Sequence, residues 1–534
     1  MLKLLGYFQK TSQNIKQSSP FKHRSSTLSS DNATLENNYD FNKKWQEAKP
    51  FEQIPGDTKL SLLRKLLLGG KYYKLKPLEM LSAYRKEWGD VAILRGFFGK
   101  KDFIVTHNPQ DFEEVLRNDG TWPVRPGMEG LHYYRSVWRK NFYQGVEGLL
   151  AAKGEKWGTF RKTVNPVLMQ PKNVKLYMHK MSEVNREFIE RIRAIRDPSS
   201  LEVPATFEEE INRWTLESVA VVALDKQLGL INENRNNSEA KKLFVALNEF
   251  ISLLYEIEFK PSLWKYIHTP TFKRLMGALD TLQEITTNYV REAIERIEKQ
   301  NNTVPKRGEK SVLEKLLQID KKIAEVMAID MLLAGVDTTT TTFTGLLLCL
   351  AKNPDKQNKL RQEVKQILPE KDSEFQENAL QNIPYLRACI KESQRMYPLG
   401  AGNARINQRD VVLSGYRVPS GTQVAMIAET LYRSEQHFTR ANDYLPERWL
   451  RPEQTNEDVS ALKPSNPFVF LPFGFGSRSC VGRRIVAMEL ELGIARLIRN
   501  FQVEFHYSTE NAFRNIQIYV PNIPLRFKFI DCEK

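Results

Sequence analysis

The chain has 534 residues, of which 41% are apolar, ample for a large buried core, and a formal charge of +15. No nucleic-acid-binding motif is present, so that charge points to an anionic membrane surface or an acidic protein partner, with no role for nucleic acid. Four cysteines, Cys349, Cys389, Cys480 and Cys532, lack Cys-x-x-Cys spacing; this excludes a disulfide framework or structural zinc site and suits a reducing compartment.

The first 30 residues carry Lys3, Lys10, Lys16, Lys22 and Arg24, seven serines and no Asp or Glu. On a helical wheel Met1, Leu4, Leu5 and Phe8 share one arc, with Lys3 and Lys10 opposite. That is the composition and amphipathicity of a matrix-targeting peptide. Residues 1–30 are therefore expected to be a transit peptide and 31–534 a single domain that remains basic at +10. The polar stretches 232–240 and 301–310 read as surface loops, and outside charged-flanked core helices there is no run of about 18 apolar residues that would span a membrane.

Trp157-Gly-Thr-Phe-Arg161 places an indole N–H and a guanidinium one turn apart on a helix. The segment 253–275 is crowded with aromatic and basic residues, including Tyr255, Phe259, Trp264, Tyr266, Ile267 and Phe272; a membrane-dipping surface and ordinary core packing both fit it. Residues 323–350 form a strongly apolar helix interrupted by Ala334-Gly-Val-Asp-Thr-Thr339. Gly335 permits a local widening there, which a threonine hydroxyl bonded back to the preceding turn would encourage. Glu392 and Arg395, at i and i+3, share a helix face, and Pro446-Glu-Arg448-Trp449 follows. Arg387 and Lys391 project from one face of the same helix, and Arg405 lies in a strand-like stretch after Pro398.

Phe473-Gly-Phe-Gly-Ser-Arg-Ser-Cys-Val-Gly482 opens directly into an apolar helix. A thiolate at Cys480 is expected to be stabilised by unpaired helix N–H groups and the dipole, and so to stay deprotonated. Gly474, Gly476 and Gly482 would let the loop press against a flat macrocycle, and Arg478 can reach an anionic group. The alternative is a buried structural thiol on a glycine turn.

This run matches Phe-x-x-Gly-x-Arg-x-Cys-x-Gly at every fixed position and resembles the haem-binding loop of the cytochrome P450 haem-thiolate monooxygenases. The resemblance spans roughly residue 39 to the C-terminus, with every diagnostic motif in order. It implies a mainly α fold with a smaller β region, the P450 triangular prism, with haem b between the oxygen-binding helix and the cysteine loop. Cys480 would ligate the iron, with Phe473 and Gly482 shaping its loop. Trp157, Arg161, Arg405 and Arg478 would hold the propionates, which must be paired if buried. Asp337 and Thr338 would deliver protons during O2 activation, while the thiolate pushes electron density to favour O–O cleavage. Glu392, Arg395 and Arg448 would form a buried network behind the cysteine loop.

In mitochondrial members basic residues at the places of Arg387 and Lys391 bind a 2Fe–2S ferredoxin, itself reduced by an NADPH-dependent ferredoxin reductase; Arg483 and Arg484 would extend that patch. Glu147-Gly-Leu-Leu and Ser414-Gly-Tyr-Arg-Val-Pro419 resemble the insect mitochondrial family numbered 12. The enzyme is then expected on the matrix side of the inner membrane as a peripheral protein, inserting oxygen into a lipophilic substrate. Pocket walls are expected at 124–148, Leu333, Ala334, 399–403 and 520–523. Xenobiotic or insecticide metabolism leads, with an ecdysteroid hydroxylase as the nearest rival. A reductase-independent haem-thiolate isomerase or a haem sensor would have no use for Asp337, Thr338 and a ferredoxin patch.

Overall fold

The structure, a computed structural model, describes residues 41–533 apart from 98–99, 233–236, 261, 304–308 and 456–457. The expected transit peptide lies outside the described residues. Residues up to Lys49 group apart from a compact body, Pro50–Lys534.

That body is mostly helical. The elements that position the site are β1 (Val91–Leu94), β2 (Phe103–Thr106), α1 (Gly154–Leu168), α2 (Met178–Ile195), α3 (Phe207–Ala223), α4 (Ser238–Glu258), α5 (Pro270–Thr303), α6 (Lys321–Lys352), α7 (Pro384–Met396), β3 (Gly402–Ile406), β4 (Gln423–Ile427), α8 (Arg483–Asn500), β5 (Phe513–Ile516) and β6 (Ile518–Pro521). One end of each expected loop is helical, since α4 begins at Ser238 and α5 runs to Thr303.

The 32-residue α6 starts where Asp320 accepts a hydrogen bond from the Ile323 N–H at 2.9 Å, and ends at Asn353, before a proline that cannot continue it. By length and composition it is apolar enough to cross a membrane. Its burial says otherwise: Leu332, Phe343, Leu346, Leu347 and Leu350 have no accessible surface, as expected for a helix that is apolar all round and enclosed by others.

The main core forms where α2, α3, α6 and α8 meet around Trp214. Its indole stacks on Phe188 with centroids 5.5 Å apart, approaches Phe343 at 4.4 Å and donates to Asn185 Oδ1 at 2.7 Å. A Cβ at Gly493 would lie 2.6 Å from the Trp214 ring, so only glycine lets α8 pack this close.

Strand order in the principal sheet is β1-β2-β4-β3, antiparallel except for the β2/β4 pair. The register sets Arg405 opposite Val424, and an isolated bridge joins Val124 to Ile406. This bridge ties the loop before residue 130 to the strand that carries Arg405.

Candidate active site

The loop ahead of α8 is fixed by its backbone. Gly474 and Gly476 have φ of +73° and +68°, values that suit glycine, and the chain folds back so that the Cys480 N–H donates to Phe473 O at 2.8 Å. Cys349 and Cys389 are buried, whereas Cys480 is exposed; a structural thiol would be enclosed like the first two. Opposing effects act on the Cys480 proton. Although Cys480 keeps accessible surface, the protein packed around it raises its thiol above the ordinary range, against the opposing pull of the Gly482 and Arg483 N–H groups and the charges of Arg161 and Arg483. The helix terminus alone does not win that contest. A coordinating cation would displace the proton outright.

Around Cys480 the fold gathers positive charge. Arg161 donates to Ser479 O at 2.9 Å, and its Nε is buried with no hydrogen-bond partner. The Arg478 guanidinium sits 3.9 Å over the Trp157 ring, and its Nε donates to Pro123 O at 3.1 Å. Arg405, buried, donates to Asp119 Oδ2 at 2.5 Å. Beside it lies a fourth arginine, Arg125, which the sequence reading missed. It senses both Arg405 and Cys480, and burial holds its guanidinium below the usual range. The motif Trp-Pro-Val-Arg-Pro was the available signal, but only the Val124–Ile406 bridge shows where that arginine goes.

Among the described residues, the carboxylate that answers these guanidiniums is Asp119, which also acts on Arg478. Burial and the charges of Arg125 and Arg405 push Arg478 down to about 9. Arg161 and Arg405 are buried and Arg125 and Arg478 partly so, and four cations answered by one carboxylate call for further anionic partners. A flat group bearing two carboxylates, ligated by Cys480, fits these donors.

On α6 the Thr338 hydroxyl donates to Ala334 O at 2.6 Å, the expected back-bond. α6 runs through Gly335 as one helix. Gly335 also serves close packing: a Cβ there would meet Val219 of α3 at 2.7 Å. Asp337, next to Thr338, has its carboxyl pushed up to about 7 by loss of surrounding water, with a smaller contribution from Glu208.

Behind the cysteine loop, the three residues of the expected network meet. Glu392 accepts from Arg395 at 2.8 and 3.0 Å and from Arg448 at 3.0 Å. The Leu445 N–H and Trp449 indole also donate to it, at 3.0 and 2.9 Å. All three charged side chains have no accessible surface.

The cytochrome P450 family model matches residues 54–529. This chain is a cytochrome P450. Cytochrome P450 CYP12A2 of Musca domestica is 60% identical over 92% of each chain. Probable mitochondrial cytochromes P450 12a5 and 12c1 of Drosophila melanogaster are 58% and 46% identical over 91% of this chain, covering 92% and 93% of theirs. A crystal structure of the cytochrome P450DA heme domain superposes with a TM-score of 0.66 at 16% identity, covering 86% of this chain and 95% of that one, which shows the shared fold. This P450 therefore belongs to a family of haem-thiolate monooxygenases, and the relatives with which it shares such identity are members of family 12.

In this P450 the expected basic patch divides in two. Arg387 is engaged: it donates to Glu491 at 2.8 Å and to Leu380 O at 2.5 Å. Lys391 keeps an exposed side chain, although the protein packed around it, together with the cations Lys463, Arg387 and Arg451, lowers its ammonium. Arg483 and Arg484 are also exposed.

The aromatic segment 253–275 divides likewise. Trp264 and Phe272 are buried and stack on each other at 5.5 Å. Phe259, Leu263, Tyr266 and Ile267 are exposed on the link between α4 and α5.

Proposed function

We propose that this P450 is a mitochondrial monooxygenase that inserts one oxygen atom from dioxygen into a lipophilic xenobiotic, taking electrons from a 2Fe–2S ferredoxin supplied by an NADPH-dependent ferredoxin reductase. The observation that carries the reading is the cluster of Arg125, Arg161, Arg405 and Arg478 beside Cys480, a surplus of buried and half-buried positive charge suited to the two carboxylates of haem b. When bound, haem supplies an iron that activates dioxygen and that the Cys480 thiolate makes electron-rich.

The remaining chemistry belongs to side chains. Trp157, Arg161, Arg405 and Arg478, with Arg125 added, orient the cofactor by its acidic edge, and the Phe473–Gly482 loop presents the sulfur. With its proton engaged by Ala334 O, the Thr338 hydroxyl keeps lone pairs free to accept a hydrogen bond. Asp337, poised at about 7, can hold a proton near neutral pH and release it, as a donor in this chemistry requires.

Exposed cations at Lys391, Arg483 and Arg484, with Arg451 and Lys463 near Lys391, suit an acidic ferredoxin. Arg387 acts there through its pairing with Glu491. The relatives named mitochondrial, and the acid-free, basic first 30 residues, support import to the matrix. Exposed Leu263, Tyr266 and Ile267 support peripheral contact with the inner membrane.

The test is the ferrous carbon-monoxide spectrum of the loaded enzyme. A red-shifted Soret band of thiolate ligation, lost in Cys480→His, is the expected result. A histidine-type spectrum in the wild type would refute the reading.

A further inference from the structure

Between the helix Pro77–Trp88, the end of α7 and the short helix Glu429–Tyr432 lies a cleft of about 590 Å³, a volume that holds a small organic molecule. None of the residues assigned above to haem, dioxygen or ferredoxin lines it. Arg395 of the buried network reaches its wall, but that guanidinium is committed to Glu392.

The cleft has an apolar side and a charged rim. Leu78, Met396, Pro398 and Tyr432 supply the apolar side. At the rim, Arg85 donates to Asp90 Oδ1 at 2.7 Å, so these two charges answer each other. Arg433 turns one nitrogen to Met396 O at 3.0 Å. Lys86 and Arg433 are exposed, and among the described residues neither forms an ion pair. Two rim cations are therefore left over.

The polar groups inside are held in place. Thr430 Oγ1 lies 2.8 Å from Nδ1 of the buried His107 and 3.4 Å from Arg85 Nη1. Glu429 is fixed at both ends: its N–H donates to Ala401 O at 3.0 Å, and its Oε2 accepts from the Tyr519 phenol at 2.5 Å. Burial raises its carboxyl to about 7, so near neutral pH it is only partly ionised and the cleft keeps a positive balance. A cationic ligand would meet Lys86 and Arg433 with like charge. An inorganic anion would leave the apolar side unused. A molecule with an apolar body and one carboxylate satisfies both.

We propose that this cleft is a second ligand site, separate from the haem pocket, that takes a small amphipathic carboxylate. Its apolar chain lies on Leu78, Met396 and Pro398, and its carboxylate pairs with Arg433 and Lys86.

Decanoate tests the site by calorimetric titration of the haem-loaded enzyme, with clotrimazole ligating the iron to keep the probe out of the haem pocket. One saturable site is expected. Decanol, with the same chain and no charge, and decylamine, with the opposite charge, should each bind at least about tenfold more weakly, the yield of a charged hydrogen bond. The double variant Lys86→Glu, Arg433→Glu should weaken decanoate by a similar factor. Ser82→Trp, which fills the cleft without altering its charge, should do so too. Both variants should keep the wild-type carbon-monoxide spectrum, because they leave the haem site untouched. No saturable binding, decanol binding as tightly as decanoate, or unchanged decanoate affinity in either variant would each overturn the proposal.

Discussion

Replacing Glu392 by Gln changes one atom in a site with no access to water, and the surrounding contacts set the cost. The carboxylate receives five donors: two from Arg395 and one each from Arg448, Trp449 and the Leu445 backbone. An amide keeps one acceptor oxygen and turns an N–H2 toward groups that are themselves donors. Two guanidiniums then remain buried without their carboxylate. They cannot swing out, since Arg395 is also held by the carbonyls of Tyr432 and Ala441 at 2.6 and 2.7 Å, and Arg448 by that of Leu462 at 2.8 Å. Breaking a buried pair on one side costs about 3–5 kcal/mol. With two stranded cations the upper end applies, against a total domain stability of about 5–15 kcal/mol. The folded-to-unfolded ratio should fall by about three to four orders of magnitude. Urea unfolding and the haem-to-protein ratio of purified enzyme measure this: the midpoint should drop with little change in slope, and haem content should fall with it. Because the network braces the segment ahead of the cysteine loop, haem loss should accompany unfolding. A Glu392→Gln enzyme with the wild-type midpoint and full haem content would refute the reasoning.

Asp337→Asn should alter the pH dependence of stability. The folded pKa of about 7 lies above the ordinary 3.8, so the folded state retains a proton that the unfolded chain releases; stability is fully present below about pH 4 and declines as pH rises through about 7. Thermal melts should show the Asp337→Asn variant and the wild type alike near pH 4, with the variant more stable near pH 8, and turnover of the variant reduced throughout. Thr338→Ala should raise hydrogen peroxide release relative to product, measured as peroxide per NADPH consumed; unchanged coupling would remove Thr338 from the proton path. Lys391→Glu should raise the apparent KM for ferredoxin several-fold in a salt-dependent manner, without altering substrate binding by Soret shift. Arg387→Glu should do this and also lower Tm, because it sets a carboxylate against Glu491.

Local chemistry is legible in the sequence because short spacings on a helix or loop have few geometric outcomes. Trp157 and Arg161 one turn apart, Glu392 and Arg395 at i and i+3, and the glycine-bearing run ending at Gly482 each specify their own arrangement before any packing is known. The distant member of the network, Arg448, is legible only through a family resemblance; in the structure its Nε donates to Glu392 from 56 residues away. Arg125 escapes a sequence reading because its role comes from strand pairing: Val124 bridges Ile406, far along the chain, and no periodicity encodes that.

Two local features depend on packing that spacing does not encode. A helix terminus favours a thiolate at Cys480, a local property, while the groups packed around the sulfur oppose it. Gly335 is legible as a position without a side chain, but only packing shows that Val219 from α3 comes close to it. By itself the sequence determined which residues could do haem-thiolate chemistry, since chemical type and short spacing are written in it. Only the tertiary structure decided which cations crowd together and which helix faces press against each other. Burial and charge balance are properties of residues brought together from far along the chain.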